Sequence, residues 1–190
     1  MFYSTSDFSR GIYILYNNEP HEIIEYSYHK PGKGASIVRT KLKNLITKSS
    51  LSRTFRSGEK LERADLYEKT VQFTYKDGKS FFFIDTENFE EFSLSYKKVG
   101  DNHKFLSENM EMKMQFFNEA ALNIELPNHI SLKVTESHSI KAGNTVGHAN
   151  KEVLLETGFV CIVPIFIKTG DIIKIDTRTS LYISKENQKH

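Results

Sequence analysis

The sequence predicts an all-β protein built from three small β-barrels. Two observations support this fold class: short segments in which apolar and polar residues alternate, and turn residues that separate these segments at regular intervals. The 190 residues include 14 Phe and 9 Tyr, which provide enough large apolar surface for a folded core. No stretch approaches the roughly 18 uncharged apolar residues of a membrane-spanning helix, so no membrane segment is expected.

The clearest element is a hairpin in the first third of the chain. Strands are predicted over residues 21–28 and over about 35–46, which are rich in Ile, Tyr, Val and Leu. Between them lies Lys30-Pro31-Gly32-Lys33-Gly34, in which proline removes a backbone donor and glycine permits a chain reversal. This segment is predicted to be the tip of the hairpin.

The second strand of this hairpin alternates between two kinds of side chain. Val38, Thr40 and Leu42 share one face, because side chains along a strand alternate with a period of two. The opposite face carries the cationic residues Arg39, Lys41 and Lys43. One face is therefore expected to be core and the other a basic surface.

The middle third predicts a second hairpin and a short helical turn. The hairpin joins residues 68–75 to residues 80–85 through an Asp77-Gly78 turn. The acidic residues 86–96 are predicted to hold the helical turn. The later half of residues 105–118 alternates and is predicted to be a strand.

The last third predicts four strands and two less regular segments. The strands are expected at residues 130–134, 151–155, 172–176 and 181–183. Residues 140–148 contain Gly and Asn and are predicted to be a loop. Residues 159–168 are nearly all apolar and include Pro164, so this run is expected to be buried and irregular.

Charge is unevenly distributed although the formal net charge is only +2. Residues 1–63 carry 11 basic and 6 acidic side chains, residues 64–127 carry 7 and 12, and residues 128–190 carry 8 and 6. Residues 29–58 contain 8 Lys or Arg and no Asp or Glu. A basic block without acidic residues favours contact with a polyanion such as nucleic acid.

The reactive side chains do not suggest an enzyme site. Cys161 is the single cysteine and lies in an apolar run, which indicates packing rather than catalysis, a disulfide or a zinc site. The seven histidines lack metal-ligand spacing, and His138 and His148 lie in a polar loop segment. Phosphate-binding glycine loops and a Gly-x-Ser-x-Gly motif are absent from the sequence. No catalytic residue, metal or cofactor is therefore expected, and one free cysteine suits a reducing cytosol.

Motifs in all three thirds of the chain carry a family resemblance. They lie at residues 30–35, 38–45, 54–59, 100–102 and 158–177. Taken together, in this order and over the full length, they resemble bacterial elongation factor P.

This resemblance implies a fold and a function. The expected domains are residues 1–63, SH3-like of the KOW type, and residues 64–127 and 128–190, both OB-folds, in an L-shaped, tRNA-like arrangement. The family implies a translation factor that binds the ribosome between the P and E sites, beside peptidyl-tRNA and ribosomal RNA. There it stimulates peptide-bond formation at consecutive prolines without a catalytic site or cofactor of its own. We expect a cytoplasmic monomer with no membrane partner.

The resemblance also assigns site residues. Lys33 corresponds to the loop lysine that reaches the peptidyl-transferase centre and that a modifying enzyme extends in many members. Its expected neighbours in the tip loop are Lys30, Pro31, Gly32 and Gly34.

Further candidates for RNA contact lie in the last third. The Gly-Asp-Thr loop of many members corresponds to Gly143, Asn144 and Thr145, in which Asn lacks the charge of Asp. Tyr182 and Lys185 match positions that face the tRNA or the small subunit in the family. Together with Arg39, Lys41 and Lys43, these residues form the set of expected RNA contacts.

Two other functions remain open at this level. One is a general OB-type protein that binds single-stranded nucleic acid by stacking bases on aromatic side chains. Phe81, Phe82 and Phe83 lie in an apolar strand of the acidic middle third, which favours core packing over such stacking. The other is a paralogue within the family that serves a different set of clients.

Overall fold

The computed structural model describes residues 1–30, 32, 35–137 and 150–186 of the chain. These residues fold into antiparallel sheets, together with an α-helix, α1, that spans only Tyr96–Val99. Over these ranges, no helix has the length and apolar character needed to cross a membrane. The chain divides into two units, residues 1–68 with 115–122 and residues 69–114 with 123–190. The all-β fold class is confirmed.

Six strands lie entirely within the first unit. They are β1 (Phe2–Ser4), β2 (Tyr13–Tyr16), β3 (Glu19–His29), β4 (Ile37–Asn44), β5 (Ser50–Arg56) and β6 (Lys60–Glu62). Strands β2, β3, β4 and β5 form one antiparallel sheet in that order, and β1 pairs with β6. The buried core consists of Phe8, Ile14, Ile23, Val38, Leu42 and Phe55. The predicted hairpin is confirmed as β3 and β4, with β3 longer and β4 shorter than expected.

Strand β2 is missing from the sequence prediction. A two-residue turn, Asn17-Asn18, joins it to β3, and both residues have positive φ, at 53° and 62°. Asn tolerates this left-handed backbone better than most residues, and two such residues in succession make the turn whose twist suits a hairpin. The Asn-Asn pair is therefore the sequence signal that would have placed β2.

The middle of the chain forms a five-stranded sheet. Its strands are β7 (Tyr67–Lys76), β8 (Ser80–Asp85), β9 (Glu91–Ser95), β10 (Glu111–Phe117) and β11 (Ala120–Glu125), in the spatial order β11-β10-β7-β8-β9. The predicted hairpin around Asp77 is confirmed. The Asp77 carboxylate accepts hydrogen bonds from the backbone N–H groups of Lys79 and Ser80 at 2.8 and 2.7 Å. These bonds lower the pKa of Asp77 and fix the turn.

The helical turn expected within residues 86–96 occurs only at the ends of that segment, where Phe89 N–H bonds to the Asp85 carbonyl and where α1 begins. Strand β9 occupies the end of this segment, and helix α1 begins only at Tyr96. In β9, Leu94 is buried between the exposed residues Ser93 and Ser95. This two-residue period is typical of a strand, and it outweighs the acidic composition of the segment.

The last part of the chain forms a second five-stranded sheet. Its strands are β12 (His129–Ser137), β13 (Asn150–Leu155), β14 (Val160–Pro164), β15 (Ile172–Asp176) and β16 (Leu181–Glu186), in the spatial order β14-β13-β12-β15-β16. Buried residues of its core include Ile130, Leu132, Val134, Val153, Leu155, Ile173 and Ile175. The four predicted strands are confirmed as β12, β13, β15 and β16. The loop expected at residues 140–148 lies outside the described residues.

The expectation that residues 159–168 are buried and irregular is wrong for the first half of the segment and for several of its side chains. Half of this run is the regular strand β14, in which Cys161 and Val163 are buried while Val160 and Ile162 are exposed, and residues 165–168 are irregular. A uniformly apolar run does not reveal which side faces inward, because the two-residue pattern is missing from its sequence. Pro164 is the last residue of the strand, where its missing donor is tolerated.

Substitutions at two adjacent phenylalanines test the orientation of β8. Phe83 is 0% exposed, whereas Phe82 lies on the other face and stacks on Tyr75 with ring centroids 4.4 Å apart. Phe83→Ala should lower the free energy of unfolding by about 3–5 kcal/mol, because it leaves a cavity in the core. Phe82→Ala should cost about 1 kcal/mol, the scale of an aromatic pair. Chemical denaturation followed by circular dichroism measures both, and equal losses would contradict the assigned faces.

Candidate functional site

The β3–β4 hairpin carries the predicted functional tip. Its strand pairing begins with His21 opposite Asn44 and ends with His29 opposite Ile37. Seven residues, 30–36, therefore connect the two strands, and Lys33 is the middle one in the sequence. Pro31, Lys33 and Gly34 lie outside the described residues. The described strands thus define the base of the hairpin from which the tip sequence extends.

Strand β4 separates core from cations as expected. Val38 and Leu42 are fully buried, and Thr40 is buried with its hydroxyl donating to the carbonyl of Arg53 at 2.9 Å. Between these positions, Arg39 and Lys41 are exposed and Lys43 is partly exposed. We call Arg39, Lys41 and Lys43 the cationic face. Its existence is confirmed, and its role in RNA contact stays a prediction.

Hydroxyl groups flank the cationic face on both neighbouring strands. Arg39 lies between Ser27 of β3 and Thr54 of β5 in the strand register. On β5, Ser52 lies opposite Lys41 and Ser50 opposite Lys43. Hydroxyl donors beside Arg and Lys are a common combination at phosphate groups of nucleic acids. Sequence reasoning missed these hydroxyl residues, because only the register reveals which of them neighbour the cations.

An acidic residue also lies on this surface. Lys41 Nζ is 3.2 Å from Glu25 Oε1, on the adjacent position of β3. Glu25 precedes the acid-free block of residues 29–58, so the sequence pattern did not place it beside Lys41. Within the described residues, Arg39 and Lys43 form no ion pair. Lys43 lies opposite Glu22 in the register of β3 and β4, whereas Arg39 lies between two hydroxyl residues, so the charge of Arg39 is the most available to an external anion.

A shallow depression of about 420 Å³ opens beside this surface. Its lining consists of Glu25, Tyr26, Ser27, Arg39, Thr40, Lys41, Ser52, Arg53 and Thr54. The lining is rich in hydroxyl and cationic donors, and it suits phosphate and ribose groups better than an apolar ligand.

Asn44 fixes the end of β4 that is remote from the tip. Its buried side-chain oxygen accepts hydrogen bonds from the N–H groups of Ile46 and Thr47 at 2.8 and 2.9 Å. Its side-chain amide donates to the carboxylate of Glu19, at the start of β3. The backbone N–H of Asn44 donates to the carbonyl of Ser49 at 2.8 Å. One buried amide therefore holds β3, β4 and the turn into β5 in a single register.

The candidates in the last part of the chain lie on β16. The backbone N–H of Tyr182 bonds to the Cys161 sulfur, while burial raises the pKa of that thiol. Lys185 Nζ lies 2.8 Å from Asp171 Oδ1, and this ion pair lowers the pKa of Asp171. Part of the charge of Lys185 is therefore compensated by the residue that precedes β15. Gly143, Asn144 and Thr145 lie outside the described residues, as do His138 and His148.

The described part of the chain contains no candidate metal site. None of the residues in these ranges forms a cluster of three or more His, Cys, Asp or Glu side chains that could hold a metal ion. Cys161 is buried, as expected, and a raised pKa keeps its thiol protonated. His21 is buried with its Nδ1 2.9 Å from the Glu19 carbonyl, which indicates a structural histidine.

Sequence models of one family match the chain in three consecutive segments. The description "Elongation factor P (EF-P) KOW-like domain" matches residues 4–61. "Elongation factor P (EF-P) OB domain" matches residues 66–124, and "Elongation factor P, C-terminal" matches residues 130–185. The three matches follow one another in the order that the family resemblance requires.

Curated relatives support the same assignment over nearly the whole chain. Elongation factor P of Moorella thermoacetica is 43% identical over 182 residues, which cover 96% of this chain and 98% of the relative. Elongation factor P of Picosynechococcus is 42% identical over 183 residues, covering 96% and 99%. Among solved structures, eukaryotic translation initiation factor 5A from Methanococcus jannaschii has a TM-score of 0.55 at 18% identity, covering 66% of this chain and 94% of its own. That structure supports the fold alone.

The role of Asn44 can be tested by truncation. Asn44→Ala removes the acceptor of the Ile46 and Thr47 N–H groups, and two hydrogen bonds of about 0.5–1.5 kcal/mol each predict that the free energy of unfolding falls by about 1–3 kcal/mol. Hydrogen exchange should also become faster along β4, because the anchor of its register is lost. Asn128→Ala, at an exposed position, is the matched control and should change stability by less than about 0.5 kcal/mol. Equal exchange rates in the two variants would show that Asn44 does not fix β4.

Proposed function

Because the chain belongs to the elongation factor P family, we propose that it binds the ribosome beside the peptidyl-tRNA, between the P and E sites, and relieves stalling at consecutive prolines. The family is one of translation elongation factors rather than of catalytic enzymes. The observation that carries the proposal is the match over 96% of the chain, combined with a lysine at the middle of the hairpin connection.

The cationic face supplies the RNA contact in this proposal. Arg39 and Lys43 neutralise backbone phosphates, and each such contact releases counterions, so binding weakens as salt rises. The hydroxyl groups of Ser27 and Thr54 donate hydrogen bonds to the same phosphates or to ribose. Lys41 is held by Glu25 and contributes less charge. This surface fixes the position of the hairpin without reading sequence.

Lys33 supplies the effect on the reaction. A lysine side chain is a long stem with a compact, strongly hydrated charge, suited to phosphate and to polar RNA edges. The flanking Pro31 limits the freedom of the tip, and Gly32 and Gly34 allow a close approach of its backbone. We propose these residues with Lys30 as the tip loop, and Lys33 as the target of a lysine-modifying enzyme.

Positioning accounts for a rate gain without catalytic acids or bases. Proline is a stiff and poor substrate for peptide-bond formation, so stalling is largely a failure to reach the attack geometry. Well-oriented reactants can gain on the order of 7–11 kcal/mol, and even a small fraction of this gives a large rate increase. The ribosome provides the chemistry, and the bound factor orders the peptidyl-tRNA.

The remaining parts of the proposal follow the family. Three domains with bounds near residues 63 and 127 are supported by the three separate family matches. Tyr182, Lys185 and the loop Gly143, Asn144 and Thr145 are proposed as RNA contacts of the last domain. We propose a monomer that acts in the cytoplasm, where ribosomes are.

The single-strand-binding alternative is disfavoured by the middle sheet. Phe81 and Phe83 are buried, so these rings are not available for base stacking. Tyr75 is exposed and stacked on Phe82, but the surrounding third of the chain has more acidic than basic residues. A gel shift with oligonucleotides, compared with co-sedimentation with ribosomes, separates this function from the proposed one. A paralogue with different clients would bind ribosomes but not rescue a polyproline reporter.

Charge reversal tests the binding surface. Replacing Arg39, Lys41 and Lys43 with Glu should weaken ribosome binding by about tenfold or more, equivalent to about 1.4 kcal/mol, and should reduce its salt dependence. The control replaces the exposed Lys76, Lys79 and Lys97 with Glu, which changes the net charge equally. Affinity is measured by co-sedimentation at several salt concentrations. If both triple variants bind equally, the cationic face is not the binding surface.

Lys33→Ala tests the tip. Ribosome binding should change by only a small factor, whereas rescue of a polyproline reporter should be lost. Lys33→Arg keeps the charge but changes the head group and blocks lysine modification, so it should also fail. Lys30→Ala is the neighbouring control and should have a mild effect. Full rescue by Lys33→Ala would refute the role of the tip, and the intact mass from the native host shows whether Lys33 is modified.

A further inference from the structure

An exposed phenylalanine lies on the turn between β8 and β9. Phe89 is 74% exposed, and its φ of 59° lies in the left-handed region. Bulky residues rarely adopt this conformation, because their Cβ crowds the backbone. Equivalent turns end at Lys48 and Ser180 with the same backbone conformation, so the exposed aromatic ring is what distinguishes position 89. We call residues 86–90 the Phe89 turn.

Hydrogen bonds hold the Phe89 turn in place. The N–H of Phe89 donates to the Asp85 carbonyl at 3.0 Å, and the N–H of Glu87 donates to Asp85 Oδ1 at 2.8 Å. Asp85 is buried, and Lys69 Nζ lies 3.1 Å from its other carboxylate oxygen. The Glu87 N–H, followed by Lys69, lowers the pKa of Asp85, so this anchor stays ionised. The ring is therefore displayed on a preorganised turn that loses little freedom on binding.

The charges around Phe89 indicate what it can contact. Glu87, Glu90 and Glu91 are all exposed at the turn. Lys69 is bound to Asp85 and to Glu90 Oε2, at 3.1 and 3.2 Å, so it serves the turn itself. The Glu90 carboxylate is compensated by Lys69, whereas those of Glu87 and Glu91 repel the phosphates of RNA and attract Lys and Arg side chains. An aromatic anchor with an acidic rim complements an apolar pocket with a basic rim.

We propose that Phe89 docks into an apolar pocket, rimmed by Lys or Arg, on a protein component of the ribosome. This inference rests on the proposed function, since it takes the ribosome as the site of action. It adds a protein contact to the RNA contact of the cationic face. The ring of Phe89 provides the apolar surface that is buried in the contact. The carboxylates of Glu87 and Glu91 orient the ring relative to the basic rim and disfavour RNA as a partner.

Phe89→Gly is the informative variant. Glycine adopts positive φ without strain, so the melting temperature should be equal to or above that of the wild type. The affinity for purified ribosomes should nevertheless fall about fivefold or more, because the anchor is lost. Phe2→Ala, at another phenylalanine that is 64% exposed, is the control and should leave affinity unchanged.

Two further measurements identify the partner class. Replacing Glu87 and Glu91 with Lys should weaken binding to purified ribosomes if the partner is basic, and strengthen it if the partner is RNA. A benzoylphenylalanine photo-crosslinker at position 89 should give a product on ribosomes that protease, but not ribonuclease, removes.

The outcomes separate this inference from the proposed function. If the wild type binds ribosomes and Phe89→Gly binds them equally well, the inference is overturned and the proposed function is not. Stronger binding after charge reversal, or cross-links only to ribosomal RNA, also overturns the inference. Sedimentation equilibrium tests whether the free chain associates with itself. If it does, and Phe89→Gly abolishes this association, the ring contacts a second copy of the chain and the inference is overturned. Wild type that does not bind ribosomes overturns the proposed function and this inference with it.

Discussion

The register between β3 and β4 decides what the first unit presents to solvent. The pairing contains a bulge, because Ile23 lies opposite Leu42 and Glu25 opposite Lys41, which leaves Ile24 as an extra residue. A shift of one residue turns the following side chains to the other face of a strand. The bulge therefore places Glu25 and Ser27 beside Lys41 and Arg39. The positions of Glu25 and Ser27 depend on this irregularity, whereas Ser50, Ser52 and Thr54 are placed by the regular pairing of β4 with β5.

Basic residues serve two different purposes in this chain. Lys69 is bound by Asp85 and Glu90 and stabilises a turn, so its charge is used within the fold. On the cationic face, Arg39 and Lys43 form no ion pair among the described residues, although Glu22 lies opposite Lys43 in the strand register. Counts of charged residues along the sequence cannot make this distinction, because it depends on which carboxylates the fold brings near. The uneven distribution of charge along the chain therefore has two parts. The first unit carries cations without ion pairs, and the second unit carries an acidic turn that is partly neutralised by Lys69.

Features that depend on local sequence patterns were predicted well, whereas features that depend on contacts between distant residues were not. The alternation of β4 and the Asp77 turn were predictable, because both depend on neighbours a few residues away. The bulge at Ile24 and the exposed face of β14 depend on partners distant in the sequence. The same limit applies to the site: motifs identified Lys33, Arg39, Lys41 and Lys43 as candidates, but only the register revealed Glu25 and the hydroxyl residues.

The central claim is that the cationic face binds the ribosome, whereas the tip residue Lys33 accelerates peptide-bond formation. It is tested most directly by the rate of a single Pro–Pro bond formation on ribosomes, measured against the concentration of added protein. For the variant with Arg39, Lys41 and Lys43 replaced by Glu, the half-saturating concentration should rise while the plateau rate stays that of the wild type. A plateau that falls while the half-saturating concentration stays unchanged would contradict the claim, because the cationic face would then act on the reaction rather than on binding.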